Sequence, residues 1–382
     1  MLLIAGSGAA AATTRPHWMR RIDALVQGHH VSVAVGAGGS FLYRNHATTL
    51  RTPASNEKLL LSMALFDALG PDATITTAVK STAAPSSGVI DGNLWIIGRG
   101  NPEIGKPAMA NLAKQVAAAG ITRIRGRVFG GTAYFSRDWW APGWKPNFPA
   151  DEIALPTSLT FQGNVGPAGG HIRDPERRAA KSLSAALRAR GVAVTGKPGM
   201  GVPPSGLKPL ATLTSDPLHE IVHRMDIDSI NFDAEVLGKL VGAVVEGVPG
   251  SIAKCAAAVE AFTKSHHVQV QAYDCSGLSY DDRVAPLGMV RLLWAADDAA
   301  WGSVLRSSLP HAGQGTLVGR LKGIRVRAKT GTLTSISALS GWVWLESAGA
   351  WGEFSILSRG MSKTKASRIE DAIVRTVSAH AG

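Results

Sequence analysis

The sequence predicts an α+β fold in which an antiparallel sheet is flanked by helices, with a long central segment of different character. Two short alternating stretches around a Gly-rich turn predict a hairpin near one end of the chain. Three further alternating stretches near the other end fit neighbouring antiparallel strands. These five stretches are residues 31–35, 41–44, 325–332, 337–345 and 353–358. From about residue 72 to 215 the pattern changes to short strands and loops, with two helices between them.

Size and composition indicate a soluble globular protein of two or three domains. The chain has 382 residues, of which 45% are hydrophobic and 18% charged, within the ordinary range for such proteins. Its net charge of +12 favours anionic surroundings. The basic residues are scattered and no nucleic-acid-binding motif is found, so we expect no nucleic acid partner. The charge instead fits peripheral contact with an anionic cell envelope.

The first fourteen residues resemble the end of a secretion signal. They are apolar and then small, with an Ala-x-Ala region but without a basic segment before it. We therefore expect residues 1–20 to be the remnant of an export signal or an N-terminal arm. The expected location is the periplasm or the outer face of the cytoplasmic membrane. No later stretch is long and apolar enough to span a bilayer.

A helix is predicted to begin just before Ser55. Thr52 is a candidate N-cap, Pro53 suits the first helical position, and Gly70 followed by Pro71 ends the apolar run. Ser55 and Lys58 then share a face, so the amine can reach the hydroxyl. Three other Ser-x-x-Lys strings begin at Ser205, Ser251 and Ser362, so the spacing alone does not identify a nucleophile.

The remaining elements follow from periodicity and breaker residues. Predicted strands are residues 74–80, 92–97, 124–129 and 268–273. Predicted helices are residues 108–119, 175–190, 217–225, 232–245, 251–264, 286–297 and 365–378. A polar elbow, residues 226–231, joins two of these helices, and the Gly/Pro-rich residues 196–206 have the composition of a linker. The last helix is amphipathic, which favours packing on the sheet over contact with a membrane.

Two further motifs distinguish Ser55 from the other serines. Ser229-Ile230-Asn231 is the only Ser-x-Asn string, and Lys329-Thr330-Gly331 occurs once, inside a predicted strand. Ser-x-x-Lys, Ser-x-Asn and Lys-Thr-Gly, in that order, are typical of penicillin-binding proteins and serine β-lactamases. Only Ser55 begins a well-capped helix upstream of both other motifs.

These residues have the chemistry that an acylated serine needs. Ser55 is a weak nucleophile without a base nearby, and Lys58 can be that base where burial and the charge of Lys329 keep it partly neutral. Ser229 can relay a proton to the leaving amine. Asn231 can hold both Lys58 and a substrate amide.

The Lys-Thr-Gly strand is the predicted binding surface for substrate. The hydroxyls of Thr330 and Thr332 can bind a terminal carboxylate beside the positive charge of Lys329. Gly331 would let the substrate backbone lie against the strand.

The chain resembles the class C low-molecular-mass penicillin-binding proteins, the D-alanyl-D-alanine carboxypeptidase/endopeptidase family. Beyond the three motifs, the resemblance rests on residues 93–98, 101–102, 229–235, 274–279 and 327–333. It implies a β-lactamase/transpeptidase-like domain, residues 21–72 and 216–382, split by a large inserted α/β domain, residues 73–215. The long interval between Lys58 and Ser229 fits this organisation.

The same resemblance implies the activity and its partners. The expected enzyme is a serine D-Ala-D-Ala carboxypeptidase/endopeptidase that trims peptidoglycan stem peptides ending in D-Ala-D-Ala through an acyl-serine intermediate. β-Lactams would acylate the same serine, and no metal or organic cofactor would be required. Backbone N–H groups of Ser55 and Thr332 would form the oxyanion hole.

Two positions depart from the family pattern. Ile230 stands where Asp is usual, and Cys275 where Gly is usual. Because of the second change, two alternatives stay open for the cysteines. In an exported protein Cys275 could form a disulfide with Cys255, or the two could be separate buried thiols.

A zinc peptidase is the sharpest competing interpretation. His219, Glu220 and His223 match His-Glu-x-x-His, in which two histidines on one helix face bind zinc, and Glu235 could be a third ligand. The helix is short, however, and no third histidine follows at the metzincin spacing.

A serine β-lactamase and a non-catalytic wall-binding protein also compete with the peptidase. A β-lactamase needs a base for rapid deacylation, and the nearest string, beginning at Glu152, ends in Pro, so we expect slow release of penicillin. A non-catalytic wall-binding protein would have lost its motif residues, which are intact here. One loop is rich in aromatic residues, namely Trp139, Trp140, Trp144 and Phe148. These side chains could stack on sugars or could anchor the loop to its own domain.

Overall fold

The computed structural model describes residues 15–381. The expected export-signal residues 1–14 lie outside the described residues. Residues 17–20, assigned with them from the sequence, instead begin a helix whose Trp18 and Ile22 are buried. The boundary expected at residue 20 therefore falls inside a helix.

The helices of the described chain are α1 (His17–Val26), α2 (Glu57–Leu69), α3 (Lys106–Ala118), α4 (Phe148–Asp151), α5 (Pro175–Ala189), α6 (Leu218–Asp228), α7 (Asn231–Val245), α8 (Ile252–Ser265), α9 (Pro286–Asp298), α10 (Gly302–Ser308) and α11 (Lys363–His380). Short 3₁₀ turns are Ala54–Asn56, Gln162–Asn164 and Gly315–Leu317.

The strands are β1 (His30–Ala37), β2 (Ser40–Asn45), β3 (Thr76–Ser81), β4 (Val89–Ile90), β5 (Leu94–Ile97), β6 (Arg123–Ile124), β7 (Val128–Gly131), β8 (Ala193–Val194), β9 (Gly199–Gly201), β10 (Lys208–Thr214), β11 (Val270–Gln271), β12 (Arg283–Val284), β13 (Val326–Leu333), β14 (Ile336–Leu345) and β15 (Ala350–Arg359).

Both ends of the chain contribute to one antiparallel sheet. Its five strands lie in the order β13-β14-β15-β1-β2, so β13, which carries the Lys-Thr-Gly motif, is an edge strand. In the register Lys329 pairs with Ser340, and Ser340 pairs with Ser355. The predicted antiparallel α+β architecture is confirmed.

Helices cover both faces of this sheet because its side chains are apolar on both sides. Helices α1 and α11 pack on one face, over residues such as Leu339 and Ile356. Helices α2 and α6 to α10 pack on the other, over Ala338, Trp342 and Leu357. The apolar side of the C-terminal helix α11 thus packs against the sheet, as predicted from the sequence.

Residues 76–214 contain two further sheets. One has the order β10-β3-β5-β7-β9, antiparallel at its first two pairings and parallel at its last two. The other is the small parallel sheet β4-β6-β8. Helices α3 and α5 share a separate apolar core with these strands, as expected for an α/β unit.

Several element boundaries differ from the sequence predictions. The strand predicted over 124–129 is two strands, β6 and β7, and the strand predicted over 268–273 is only β11. The predicted linker 196–206 contains β9. The polar elbow shortens to Ser229 and Ile230, because α6 continues to Asp228 and α7 begins at Asn231.

Candidate active site

Ser55 lies in a 3₁₀ turn immediately before α2, rather than in the first turn of an α-helix. The predicted cap is wrong because Thr52 has other partners. Its hydroxyl donates to the Tyr280 carbonyl (3.2 Å) and accepts from Arg283 (2.8 Å). Ala54 also has φ of +49°, which a regular helix does not allow.

Two glycines and one amide fix this turn against its neighbours. A Cβ at Gly331 would lie 2.6 Å from the Pro53 carbonyl oxygen, and one at Gly277, whose φ is +78°, would clash with the Ala54 carbonyl. In the amide orientation that satisfies both its oxygen and its nitrogen, Asn56 donates to the Lys329 carbonyl at 2.9 Å. The contact seen for Gly331 is therefore with the serine turn; its contact with substrate stays a prediction.

Helix α2 carries Lys58 into the core. Residues Glu57 to Phe66 are all buried, and the apolar ones pack in the main core. Full burial of each Leu contributes about 1.5–3 kcal/mol, so the helix is firmly anchored. The position of Lys58 follows from this anchoring.

The amine of Lys58 is fully buried and has three hydrogen-bond partners in the described chain. It donates to Ser55 Oγ at 3.3 Å, to Asn231 Oδ1 at 2.8 Å and to the Ser276 carbonyl at 2.6 Å. Burial is the main cause that lowers the pKa of Lys58 to about 8, partly opposed by the carboxylates of Asp274 and Glu235. A useful fraction of this amine is therefore neutral near neutral pH.

The short elbow between α6 and α7 positions Ser229 and Asn231. Ser229 ends α6 in the left-handed conformation, with φ of +58°. Its hydroxyl accepts from Lys329 Nζ at 2.8 Å, while Asn231, the first residue of α7, faces Lys58. The Ser-x-Asn motif thus connects the other two motifs, because Ser229 contacts Lys329 and Asn231 contacts Lys58.

Lys329 is the second buried amine of the site. It also donates to the Thr330 carbonyl at 3.2 Å. Burial, together with the positive charge of Lys58, lowers its pKa, and the carboxyl of Asp226 opposes this effect. Asp226 is buried too and accepts from Ser62 Oγ at 3.1 Å. Sequence patterns carry no signal for Asp226 beyond its place in a polar elbow.

A third side of the site is the loop from Asp274 to Ser279. Glu235 accepts from the backbone N–H groups of Cys275 (2.9 Å) and Ser276 (2.8 Å), which holds the Ser276 carbonyl towards Lys58. Asp274 accepts from the N–H groups of Gly277 and Ser279. Cys275 forms a disulfide with Cys255, with Cα atoms 6.3 Å apart.

The structure brings the five predicted catalytic residues together and places the predicted binding residues beside them. Thr330 is nearly buried and Thr332 is exposed, both on edge strand β13. The Ser55 backbone nitrogen lies 3.1 Å from the Cβ position of Gly331, so the two predicted oxyanion donors come from adjacent backbones. The roles of all these residues stay predictions.

The His-Glu-x-x-His string has other contacts. His219 Nδ1 faces the Pro71 carbonyl at 3.2 Å, and His223 Nδ1 faces the Ser308 carbonyl at 3.1 Å. Glu235, the third candidate ligand, is bound instead to the backbone of the Asp274 loop. Across residues 15–381 no group of three or more His, Cys, Asp or Glu could hold a metal ion.

The tryptophan loop, residues 139–148, packs against the Asp274–Ser279 loop. Trp144 is buried and donates through Nε1 to Asp274 Oδ2 at 2.6 Å, and Phe148 packs beside it. Trp139 donates to the Ile153 carbonyl at 2.9 Å. Trp140 is 54% exposed. The loop thus supports the Asp274 turn, a structural role that the sequence left open beside sugar stacking.

The helices of the described chain include none with the length and apolar character needed to cross a bilayer.

The family model described as D-Ala-D-Ala carboxypeptidase 3 (S13) matches the chain over residues 23–154 and 148–380. The D-alanyl-D-alanine carboxypeptidase of Actinomadura sp. (strain R39) is 27% identical over 94% of this chain and 84% of its own. Carboxypeptidase DacB of Mycolicibacterium smegmatis is 30% identical over 87% of this chain and 76% of its own.

The fold is also similar to that of a solved structure. Penicillin binding protein 4 from Haemophilus influenzae superimposes with a TM-score of 0.83 at 19% identity, covering 94% of this chain and 100% of its own. A second structure of that protein holds a β-lactam and gives a TM-score of 0.72 at 20% identity, covering 90% of this chain and 93% of its own.

Proposed function

The chain belongs to the D-Ala-D-Ala carboxypeptidase 3 (S13) family, and we propose that Ser55 is the residue that its substrate acylates. It is a serine-type D-Ala-D-Ala carboxypeptidase, a hydrolase of the penicillin-binding protein class. The observation that carries the assignment of Ser55 is the buried Lys58 amine 3.3 Å from its hydroxyl. Ser251 and Ser362 instead cap helices, and Ser205 is exposed.

The proposed first step forms the bond between Ser55 Oγ and the carbonyl carbon of the D-Ala–D-Ala bond. The hydroxyl proton moves to neutral Lys58 Nζ, which is already within hydrogen-bond reach. Backbone N–H groups of Ser55 and Thr332 stabilise the oxyanion. The C–N bond then breaks as Ser229 relays to the leaving amine the proton that Lys58 took from Ser55. Water later adds its hydroxyl to the acyl carbon, the ester C–O bond breaks, and the proton of that water returns to Ser55 Oγ.

The proposed substrate is a peptidoglycan stem peptide ending in D-Ala-D-Ala. Its terminal carboxylate would bind the hydroxyls of Thr330 and Thr332 beside the charge of Lys329, and Asn231 would bind a substrate amide. Gly331 would let the peptide backbone lie close to β13. β-Lactams would acylate Ser55 in the same way and thus act as covalent inhibitors.

We further propose that the protein acts outside the cytoplasm, in the periplasm or at the outer face of the cytoplasmic membrane. The Cys255–Cys275 disulfide supports this location, because disulfides persist in oxidising compartments. The net charge of +12 is suited to peripheral contact with an anionic envelope. Fractionation of cells that express the full chain tests it, and recovery in the cytoplasm alone would contradict it.

Labelling with a fluorescent penicillin tests the assignment of the nucleophile. The wild type and Ser205→Ala, which changes an exposed serine of another Ser-x-x-Lys string, should label equally, whereas Ser55→Ala should not label. Labelling of Ser55→Ala, or no labelling of the wild type, would refute the assignment. Release of D-Ala from a pentapeptide and cleavage of a cross-linked dimer then separate carboxypeptidase from endopeptidase activity.

A further inference from the structure

The Cys255–Cys275 disulfide lies next to the contact that holds the amine of Lys58. Cys275 directly precedes Ser276, whose carbonyl accepts from Lys58 Nζ at 2.6 Å. Cys255 lies in the first turn of α8, and both cysteines are fully buried. A position where glycine is usual in this family therefore carries a covalent link that ends one residue from the contact with Lys58.

Two helices hold the loop at this link. Helix α7 approaches the disulfide closely because Gly238 has no side chain; a Cβ there would lie 2.5 Å from Cys255 Sγ and 2.7 Å from Cys275 Cβ. Also on α7, Glu235 accepts from the backbone N–H groups of Cys275 and Ser276. The Ser276 carbonyl is thus held by a covalent link to α8 and by hydrogen bonds to α7.

Four fully buried carboxyl groups lie at this loop or beside it, namely Glu57, Glu235, Asp274 and Asp282. Both oxygens of Glu57, and one oxygen each of Glu235 and Asp282, have no hydrogen-bond partner in the described chain. Burial, followed by the charges of Asp274 and Glu235, raises the pKa of Glu57. Because unpaired buried polar groups are costly, contact with water would be favourable for these carboxyls, and it would favour opening of the loop.

Solvent lies close to the link. A cavity of about 250 Å³ adjoins both segments that the disulfide joins, and it is lined by Ala256 on α8 and by Ala272 and Tyr273 before the loop. Tyr273 is 37% exposed, whereas residues 274–279 are all buried. The chain therefore changes from exposed to buried immediately before the link.

Lys58 needs a dry environment to be the base. Burial is the main cause that lowers its pKa to about 8, against the effect of the carboxylates of Asp274 and Glu235. Water that reached the amine would stabilise its charged form and would raise the pKa towards the ordinary value. Less of the amine would then be neutral at pH 7. This step rests on the proposed function, in which neutral Lys58 accepts the proton of Ser55.

We propose that the Cys255–Cys275 disulfide positions the base of the reaction, because it keeps the Ser276 carbonyl on Lys58 Nζ and keeps water away from this amine. The two cysteines are positioning residues, which act on Lys58 through the loop and do not touch the substrate. This role accounts for a cysteine at a position where glycine is usual.

The test compares the pH dependence of acylation with and without the link. Cys255→Ala and Cys275→Ala each remove it from one side. Wild type reduced with dithiothreitol, with its thiols counted by alkylation and mass, loses it after folding. In all three forms the midpoint should rise from about 8 to about 9. The acylation rate constant at saturating penicillin should be roughly tenfold lower than that of the wild type at pH 7 and within about twofold of it at pH 9.5.

Val259→Ala is the matched control. Val259 is buried one turn after Cys255 on the same helix, so this change weakens the packing of α8 and leaves the link intact. Its acylation profile should coincide with that of the wild type. The charged groups that act on Lys58 are the same in all of these proteins, namely Asp226, Asp233, Glu235, Asp274 and Lys329.

The outcomes separate this proposal from the assignment of the base. A wild type that does not react with penicillin, or whose acylation rate does not depend on pH, refutes the proposed function itself. A wild type with a midpoint near pH 8, together with forms without the link that have the same profile, overturns the role of the disulfide. An equal loss at every pH value also overturns it, as does a midpoint that rises as much in Val259→Ala, since both results indicate a general loss of packing.

Discussion

Lys58 Nζ lies 3.3 Å from Ser55 Oγ, and this hydroxyl is the one hydrogen-bond partner of the amine in the described chain that can also donate. The other two partners, Asn231 Oδ1 and the Ser276 carbonyl, only accept. When Lys58 is neutral, its two N–H groups therefore satisfy these acceptors, and its lone pair is left for the serine. This arrangement favours transfer of the proton from Ser55 Oγ to Lys58 Nζ.

Acylation should accordingly follow the titration of Lys58. The pKa of Lys58 is lowered to about 8, so below that pH most of the amine is protonated and cannot accept the proton. We expect the acylation rate with a penicillin to rise about tenfold per pH unit up to about pH 8 and then to level off. Stopped-flow labelling from pH 6 to 9.5 measures this. A rate independent of pH would contradict Lys58 as base.

Trp144→Phe should weaken both stability and acylation. The change removes the hydrogen bond from Nε1 to Asp274, a buried carboxyl of the loop whose Ser276 carbonyl holds Lys58. Loss of this hydrogen bond to a buried oxygen costs about 1–3 kcal/mol of unfolding free energy. Urea unfolding and penicillin labelling measure the two effects.

Trp140→Phe is the matched control for that change. Trp140 is 54% exposed and has no hydrogen bond through its indole in the described chain. The unfolding free energy of the Trp140→Phe variant should therefore differ from that of the wild type by less than about 0.5 kcal/mol. Equal losses in the two variants would show that the Asp274 contact has no special role.

The sequence predicted the order of elements better than the details of the site. Alternating stretches predicted β13 to β15 but not the burial of both faces, which follows from helices that pack on either side of the sheet. The turn at Ser55 was not predictable, because Thr52 binds Tyr280 and Arg283, more than 200 positions away in the chain. Asp226 was missed for the same reason: its significance depends on burial beside Lys329, which no local pattern encodes.

Glu353→Gln should stabilise the protein at mildly alkaline pH. Burial is the main cause that raises the pKa of Glu353 to about 8, and its carboxyl accepts from Trp294 Nε1 at 2.5 Å. Between the unfolded pKa of about 4.5 and the folded value, the folded state holds a proton that the unfolded state releases. Wild-type stability from this group is thus fully present below pH 4.5 and lost as pH rises towards 8.

The variant should therefore gain roughly 1–3 kcal/mol over the wild type at pH 8 and little at pH 5. Gln retains an oxygen that can accept from Trp294. Thermal unfolding at the two pH values measures this difference, with Glu346→Gln, at an exposed position, as the control. A gain that is the same at both pH values would indicate a packing effect instead of titration.

The penicilloyl enzyme should persist much longer than the peptide acyl-enzyme. Rapid hydrolysis of a penicilloyl ester requires a base that activates water, as a Glu does in class A β-lactamases. Within residues 15–381 no carboxylate hydrogen-bonds to Ser55 or Lys58. Glu152 is exposed, and its backbone carbonyl, not its carboxylate, faces Asn231 Nδ2 at 3.5 Å.

Intact-mass measurements after removal of free penicillin would follow this lifetime. We expect the adduct to last far longer than one turnover of a D-Ala-D-Ala peptide takes on the unmodified wild type, since the amine of the opened β-lactam stays attached to the acyl group, whereas D-Ala departs. Glu152→Gln should not shorten or lengthen the lifetime of the adduct, because its side chain is remote from the ester in the proposed arrangement. A longer lifetime in Glu152→Gln would identify this carboxylate as the deacylation base and favour a β-lactamase-like hydrolase.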